Sequence, residues 1–388
     1  MSLASPADPV SLCAALIRCP SVTPADAGAM AVVRGALEAL GFVCRPMRFG
    51  EIENLYARCG DARPNLCFAG HTDVVPPGDA AAWSAPPFAA HIENGVILGR
   101  GAADMKGAIA AYIAAVGRVL AKGPPGGSLS LLITGDEEGV AEDGTKAVVK
   151  ALQAEGEIID HCVVGEPTSS AQLGDMIKIG RRGSVSAKLI VEGVQGHVAY
   201  PDRAANPAPV LVRLLSRLLD RNLDAEIDGF QPSNLEITSI DIGNLAGNVI
   251  PARAEARINI RFNPAYLGEA LAVWIAEEAK AAGRDFRGRI SVETAISGEA
   301  FLTAPGDFTT VVAAAVAAAS GVTPELSTTG GTSDARFIRA LCPVVEFGLV
   351  GASMHKIDEG APVADIEALS RIYERLITDY FAKFGAAS

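Results

Sequence analysis

The stretch SLSLLITGDEEG, residues 128–139, reads as a buried strand that runs straight into three consecutive acids. Leu129, Leu131, Leu132 and Ile133 form the short apolar run of a strand covered on both faces. Asp136, Glu137 and Glu138 follow at once. Like charges crowded where a buried strand emerges destabilise one another unless a cation or a proton relieves them. A solvated acidic turn is the competing reading, and the surrounding segments have to decide between the two.

Two more strands of the same kind flank this one in sequence: NLCFAG at 65–70, and HCVVGEP at 161–167, which stops at Pro167. Between the first and second lies GAIAAYIAAVGRVLAKG (107–123), with helix formers, an apolar face and a closing glycine. Strand, helix, strand in that order predicts a parallel α/β layer. The pattern then changes. SVSAKLIVEG, NLEITSIDIG, EARINIRFN and RISVETAIS read as strands, with helices at PAPVLVRLLSRLLD and LGEALAVWIAEEAKAAG. Their order is β-α-β-β-α-β, the ferredoxin-like arrangement. Afterwards DFTTVVAAAVAAASG, PVVEFG and ADIEALSRIYERLITDYFAKF restore the helix and strand alternation. The expected architecture is an α/β domain, residues 1–182 and 298–388, with a mostly parallel sheet flanked by helices. An α+β ferredoxin-like domain, residues 183–297, interrupts it.

The totals agree with two domains and exclude some partners. A chain of 388 residues with 49% hydrophobic composition can bury two cores. Its net charge of −12 argues against a nucleic acid or an anionic membrane as partner, but not against a cation. Seven dispersed cysteines without a C-x-x-C pair fit reduced thiols and a cytoplasmic protein. The start, MSLASPADPVSLC, lacks a secretory pattern, and the longest apolar run, TTVVAAAVAAASGV, is too short to span a bilayer.

Ligands of parallel α/β sheets bind beyond the carboxyl ends of the strands. The first strand delivers His71 and Asp73 there, the second Glu137 and Glu138, the third Glu166. LGRGAADMKGA places Asp104 in a glycine-flanked loop before a helix, and GASMHKIDEG presents His355 in a polar loop. Imidazoles and carboxylates together suit zinc or a similar divalent ion. Asp73, two residues after His71, is placed to accept the second ring N–H of that histidine. His91 and His161 read as structural. His197, in VQGHVAYP, falls in the inserted domain. A nucleotide site is disfavoured, because neither TTGGTSD nor GRGAADMKG has phosphate-loop spacing.

In order along the chain stand GHTDVVPPGD, Trp83, GRGAADMKG, TGDEEG, GEPT, GRRGS, QGHVAYP, GNVIP, TTGGTSDARFI and MHKIDE. With these motifs nearly the whole chain resembles the dinuclear zinc deacylase and exopeptidase family that includes aminoacylases, acetylornithine deacetylase and glutamate carboxypeptidase. The resemblance implies two zinc ions per subunit, one of them replaceable by cobalt. Asp104 would bridge them, His71 and Glu166 would complete one shell, and Glu138 and His355 the other. Glu137 would be the general base towards a water held between the metals, and Asp73 the partner of His71. His197 would steady the oxyanion from the second subunit of a homodimer, formed through the inserted domain, which would also act as a lid.

GRRGS, QGHVAYP and TSDARFI point, by the same resemblance, to a small-molecule substrate, N-succinyl-LL-2,6-diaminopimelate. Another deacylation, that of acetylornithine first, is the alternative. Arg181, Arg182 and Arg261 are then candidates for the substrate carboxylates, since arginine binds them bidentately. Ser184, Asn248 and Thr332 would be supporting donors.

Overall fold

The computed structural model describes residues 8–223 and 227–385. The chain divides into two compact units, Met1–Ile179 with Thr303–Ser327 and Ser333–Ser388, and Gly180–Leu302 with Thr328–Thr332.

The first unit is built on an eight-stranded sheet. In spatial order its strands are Val43–Phe49, Ile52–Cys59, Ser128–Thr134, Asn65–His71, His161–Val164, Val344–Glu346, Met176–Lys178 and Glu325–Ser327. The middle four are parallel. The first two form a hairpin that adds antiparallel to Ser128–Thr134, and Met176–Lys178 adds antiparallel to Val344–Glu346. The sheet is therefore mixed, where the sequence pattern predicts a mostly parallel one. Only Gly50 and Glu51 link the hairpin strands, and so short a link closes an antiparallel pair alone.

Every residue of Asn65–His71 and Ser128–Thr134 is buried, as expected of strands with helices on both faces. The helix Gly107–Leu120 is buried along most of its length and packs against Pro9–Ile17 and Val363–Phe384, and the last of these packs on Asp307–Ser320. Tyr112 stacks on Phe68, ring centroids 4.2 Å apart, a contact worth about 1 kcal/mol beyond its buried area. It fixes the helix, and the turn that precedes it, to the strand that ends in His71.

The second unit runs β-α-β-β-α-β, with strands Gly183–Glu192, Asn234–Asp241, Arg253–Phe262 and Arg289–Gly298 and helices Ala208–Leu219 and Gly268–Ala282. The four strands are antiparallel, in the spatial order second, third, first, fourth. Ala254, Ala256, Ile258, Ile260 and Phe262, alternate residues of one strand, are buried in one cluster with Leu211, Leu214, Leu271 and Ile275 of the helices. Thr328–Thr332, expected with the flanking α/β segment, groups with this unit instead. Thr328 donates to the Gly229 carbonyl, and Arg181 to the Thr329 carbonyl at 3.1 Å. Among the described residues no helix is long and apolar enough to cross a membrane.

Candidate metal centre

Three parallel strands bring their acids and histidine to one rim. His71 closes Asn65–His71, Glu137 and Glu138 follow Ser128–Thr134, and Glu166 follows His161–Val164. Asp104 comes from the widened turn Ala102–Lys106, where the backbone leaves helical geometry at Asp104 (φ −123°, ψ 94°). Two glycines let that turn approach the strands. A Cβ at Gly70 would lie 2.5 Å from Met105 Cε, and one at Gly165 would lie 2.7 Å from it. A side chain just before His71 or Glu166 would have to displace the tip of Met105, which fills the space beside both strand ends.

Asp104 stands between the two histidines. Its Oδ1 is 3.1 Å from His71 Nε2, and its Oδ2 is 3.4 Å from His355 Nε2. His355 Nε2 is also 2.8 Å from Glu138 Oε1, and Glu166 Oε1 is 3.9 Å from His71 Nε2. Donor atoms of His71, Asp104 and Glu166 lie within 4.8 Å of one another, as do those of Asp104, Glu138 and His355, and those of His71, Glu137 and Glu138. The first two groups share Asp104.

The electrostatics are those of acids short of cations. Burial, then Asp104 and Glu137, push the Glu166 carboxyl well above the carboxylate range against the pull of His71. Burial also pushes Glu137 up to about 8, opposed by His71 and reinforced by Asp334, Glu138 and Asp104. Hydrogen bonds to Asp104 and then Glu138 raise His355 to about 10. Burial works to raise Asp104 too, yet its bonds to His355 and His71 hold it below the usual range. Glu166 Oε1 is buried and no hydrogen-bond donor reaches it. A donorless buried carboxylate oxygen near an imidazole nitrogen, among further acids, is what a divalent cation relieves, and the donor types suit one. Each of the two groups that share Asp104 fits such an ion.

Asp73 differs from expectation. His71 Nδ1–H donates to the carbonyl oxygen of Asp73 at 2.9 Å, while the Asp73 carboxylate lies 3.6 Å off. That carboxylate is engaged elsewhere. Its Oδ1 accepts the Glu137 N–H at 3.2 Å, and its Oδ2 accepts the Glu138 N–H at 3.0 Å and the Thr23 hydroxyl at 2.7 Å. The carbonyl contact still places a proton on Nδ1, so Nε2, on the side of Asp104, is the nitrogen left for a metal. Asp136, the first acid of the run, is buried and accepts the N–H groups of Glu142 and Asp143 at 3.0 and 3.1 Å. One acid of the three shapes the turn, and the other two face the rim.

His91 opens an exposed short strand, and His161 starts its strand, hydrogen-bonded to Tyr380 and stacked on Phe308. Neither joins a donor group. Sequence reasoning passed over Asp334, buried and raising Glu137, and Glu359, fully buried behind Asp104. Both stand inside quoted motifs, TTGGTSDARFI and MHKIDE.

The profile of peptidase family M20/M25/M40 matches residues 67–379. The chain belongs to this family. It is 68% identical over 377 residues to a protein of Caulobacter vibrioides named succinyl-diaminopimelate desuccinylase, covering 97% of either chain. A protein of Phenylobacterium zucineum with the same name is 65% identical over 375 residues, 97% of this chain and 99% of that one. An M20 metallo-carboxypeptidase from Sulfolobus solfataricus superposes with a TM-score of 0.78 at 17% identity, over 97% of this chain and 99% of that one. A dinuclear metal-binding M20 peptidase from Bacillus subtilis does so with 0.71 at 14% identity, over 96% and 98%. At such identities the two structures speak for the M20 fold, a mixed sheet flanked by helices.

The remaining candidates of this M20 chain lie in the second unit. His197 is exposed on the short ribbon Gly196–His197, paired with Val249–Ile250, and its Nδ1 accepts the Ala199 N–H at 3.1 Å. Arg182 donates to Asn234 Oδ1 at 2.9 Å, and burial followed by the charge of Arg261 lowers its pKa. Arg261 lies opposite Ser184 on the paired strand, and Ser184 Oγ accepts from Asn259 at 3.1 Å. Arg181 is buried, Asn248 is exposed and Thr332 half-buried.

Proposed function

We propose that this M20 chain hydrolyses N-succinyl-LL-2,6-diaminopimelate, a linear amide, to succinate and LL-2,6-diaminopimelate, in the synthesis of diaminopimelate and lysine. The observation that carries the substrate is the 65–68% identity, over nearly the full chain, to relatives named for that reaction. The chemistry is supported by the two donor groups joined through Asp104. We assign one zinc ion to His71, Asp104 and Glu166 and another to Asp104, Glu138 and His355, with cobalt able to replace zinc at one site. Metals bound there supply Lewis-acid polarisation of the scissile carbonyl and lower the pKa of a water within reach.

The side chains do the rest. Glu137 takes a proton from the attacking water and returns it to the amine nitrogen as the C–N bond breaks. Asp73 orients Glu137 and Glu138 through their backbone N–H groups. His197 accepts at Nδ1, so its neutral ring carries the proton on Nε2 and can donate to the oxyanion. Such a donor is commonly worth about 3–4 kcal/mol. Arg181, Arg182 and Arg261, with Ser184, Asn248 and Thr332, would hold the substrate carboxylates. We read the second unit as a ferredoxin-like lid and dimerisation domain that carries His197 to the site of the other subunit. Seven unbridged cysteines fit a cytoplasmic enzyme.

The test is the initial rate of the zinc-reconstituted protein on succinyl-LL-diaminopimelate beside N-acetylornithine. Strong preference for the succinyl compound, abolished by a chelator, is the expected result. Preference for acetylornithine would keep the metal chemistry and overturn the substrate.

A further inference from the structure

Arg100 stands four residues before Asp104, and Glu359 four after His355. Their side chains form a buried ion pair, Arg100 Nη1 to Glu359 Oε2 at 2.7 Å. The other carboxylate oxygen, Oε1, accepts the N–H groups of Gly101, Ala103 and Asp104 at 3.1, 3.1 and 3.2 Å. The Glu359 carbonyl accepts the Gly99 N–H at 2.8 Å. Arg100 donates to the Lys356 carbonyl at 3.0 Å and to the Pro76 carbonyl at 3.4 Å, and its guanidinium lies 5.1 Å from the Trp83 ring centroid. One pair of side chains thus ties the turn of Asp104 to the loop of His355, and both to the segment after Asp73.

Both tied segments need holding. Asp104 and Met105 leave helical geometry, so a regular helix does not fix the turn, and its buried N–H groups must find an acceptor. Glu359 supplies it. His355 sits at φ +61°, a left-handed conformation that a residue with a side chain keeps only when its surroundings impose it. Arg100 at Lys356, next in the chain, and Ser84 at Asp358, with hydrogen bonds of 2.7 Å, are those surroundings. Neither Arg100 nor Glu359 belongs to a donor group.

We propose that Arg100 and Glu359 are positioning residues that fix the Asp104 carboxylate against the His355 imidazole and so set how tightly the two groups hold metal. The inference rests on the metal reading above. Its test is a cobalt titration of the metal-stripped full chain, read by equilibrium dialysis and by the visible d–d bands. Glu359→Gln keeps an acceptor oxygen but places an amide against Arg100, and Glu359→Asp keeps the charge but retracts it by one methylene. Each is expected to bind cobalt about 10–100-fold more weakly than the parent, with shifted bands. A lowered thermal midpoint with parental affinity and bands would show a merely structural pair and overturn the proposal. Should Glu359→Gln fail to fold, Glu359→Asp decides by the same two readouts. A parent chain that takes up no cobalt would overturn the metal reading instead.

Discussion

The carboxylate of Asp73 accepts the backbone N–H of Glu138 at 3.0 Å. With the Glu137 N–H and the Thr23 hydroxyl on the same carboxylate, this residue holds the turn that presents both glutamates. Asp73→Ala leaves those N–H groups without acceptor, at about 1–3 kcal/mol for each that stays buried. The variant is expected to bind zinc about 10–100-fold more weakly in competition with a chromophoric chelator. Asp73→Asn, which keeps one oxygen, should fall between. Parental affinity in both would show that the turn holds itself.

Glu137→Gln separates the two glutamates by role. The groups His71, Asp104, Glu166 and Asp104, Glu138, His355 do not need residue 137. The variant should therefore retain two metals per chain by elemental analysis. Its turnover should drop by at least about 10²-fold, the usual contribution of a positioned general base. A variant that stays active places the base elsewhere.

Metal uptake should release protons. In the protein alone the raised pKa values leave His355 (about 10) and Glu137 (about 8) protonated at neutral pH, and burial holds Glu166 above its ordinary range. A cation needs neutral imidazole and ionised carboxylate, so it displaces those protons, and raising the pH removes its competitors. Affinity should rise about tenfold per pH unit for each proton displaced. Zinc added to a weakly buffered solution near pH 7 should acidify it beyond the effect of zinc alone. No acidification would mean that these groups carry no displaceable proton at that pH.

The rim was legible because burial of a short strand is a local property of its letters. Leu131 to Ile133 announce the strand, and the acids after it can only emerge at its end. The partner of His71 was not legible: a carbonyl oxygen has no letter of its own, and the Asp73 carboxylate was taken up by backbone N–H groups that every residue carries. Nor was the edge hairpin, where Arg45, Arg48 and Glu53 interrupt the apolar pattern. The Arg100–Glu359 pair spans 259 residues; both residues stand in visible motifs, but only the fold makes them neighbours. The proposed order of Glu137 and Glu138, base and ligand, rests on family resemblance and not on spacing.

His197 offers the sharpest test of the second unit. Its Nδ1 is occupied by the Ala199 N–H, so any hydrogen bond it gives while neutral must come from Nε2. A group that acts only on developing negative charge should affect kcat and leave KM nearly unchanged. His197→Ala is therefore expected to match the parent in sedimentation and in metal content, with kcat lowered about 10²–10³-fold. Loss of metal, or sedimentation different from the parent's, would make the residue structural. A rise in KM with kcat preserved would make it a substrate anchor, and the oxyanion would then need another donor.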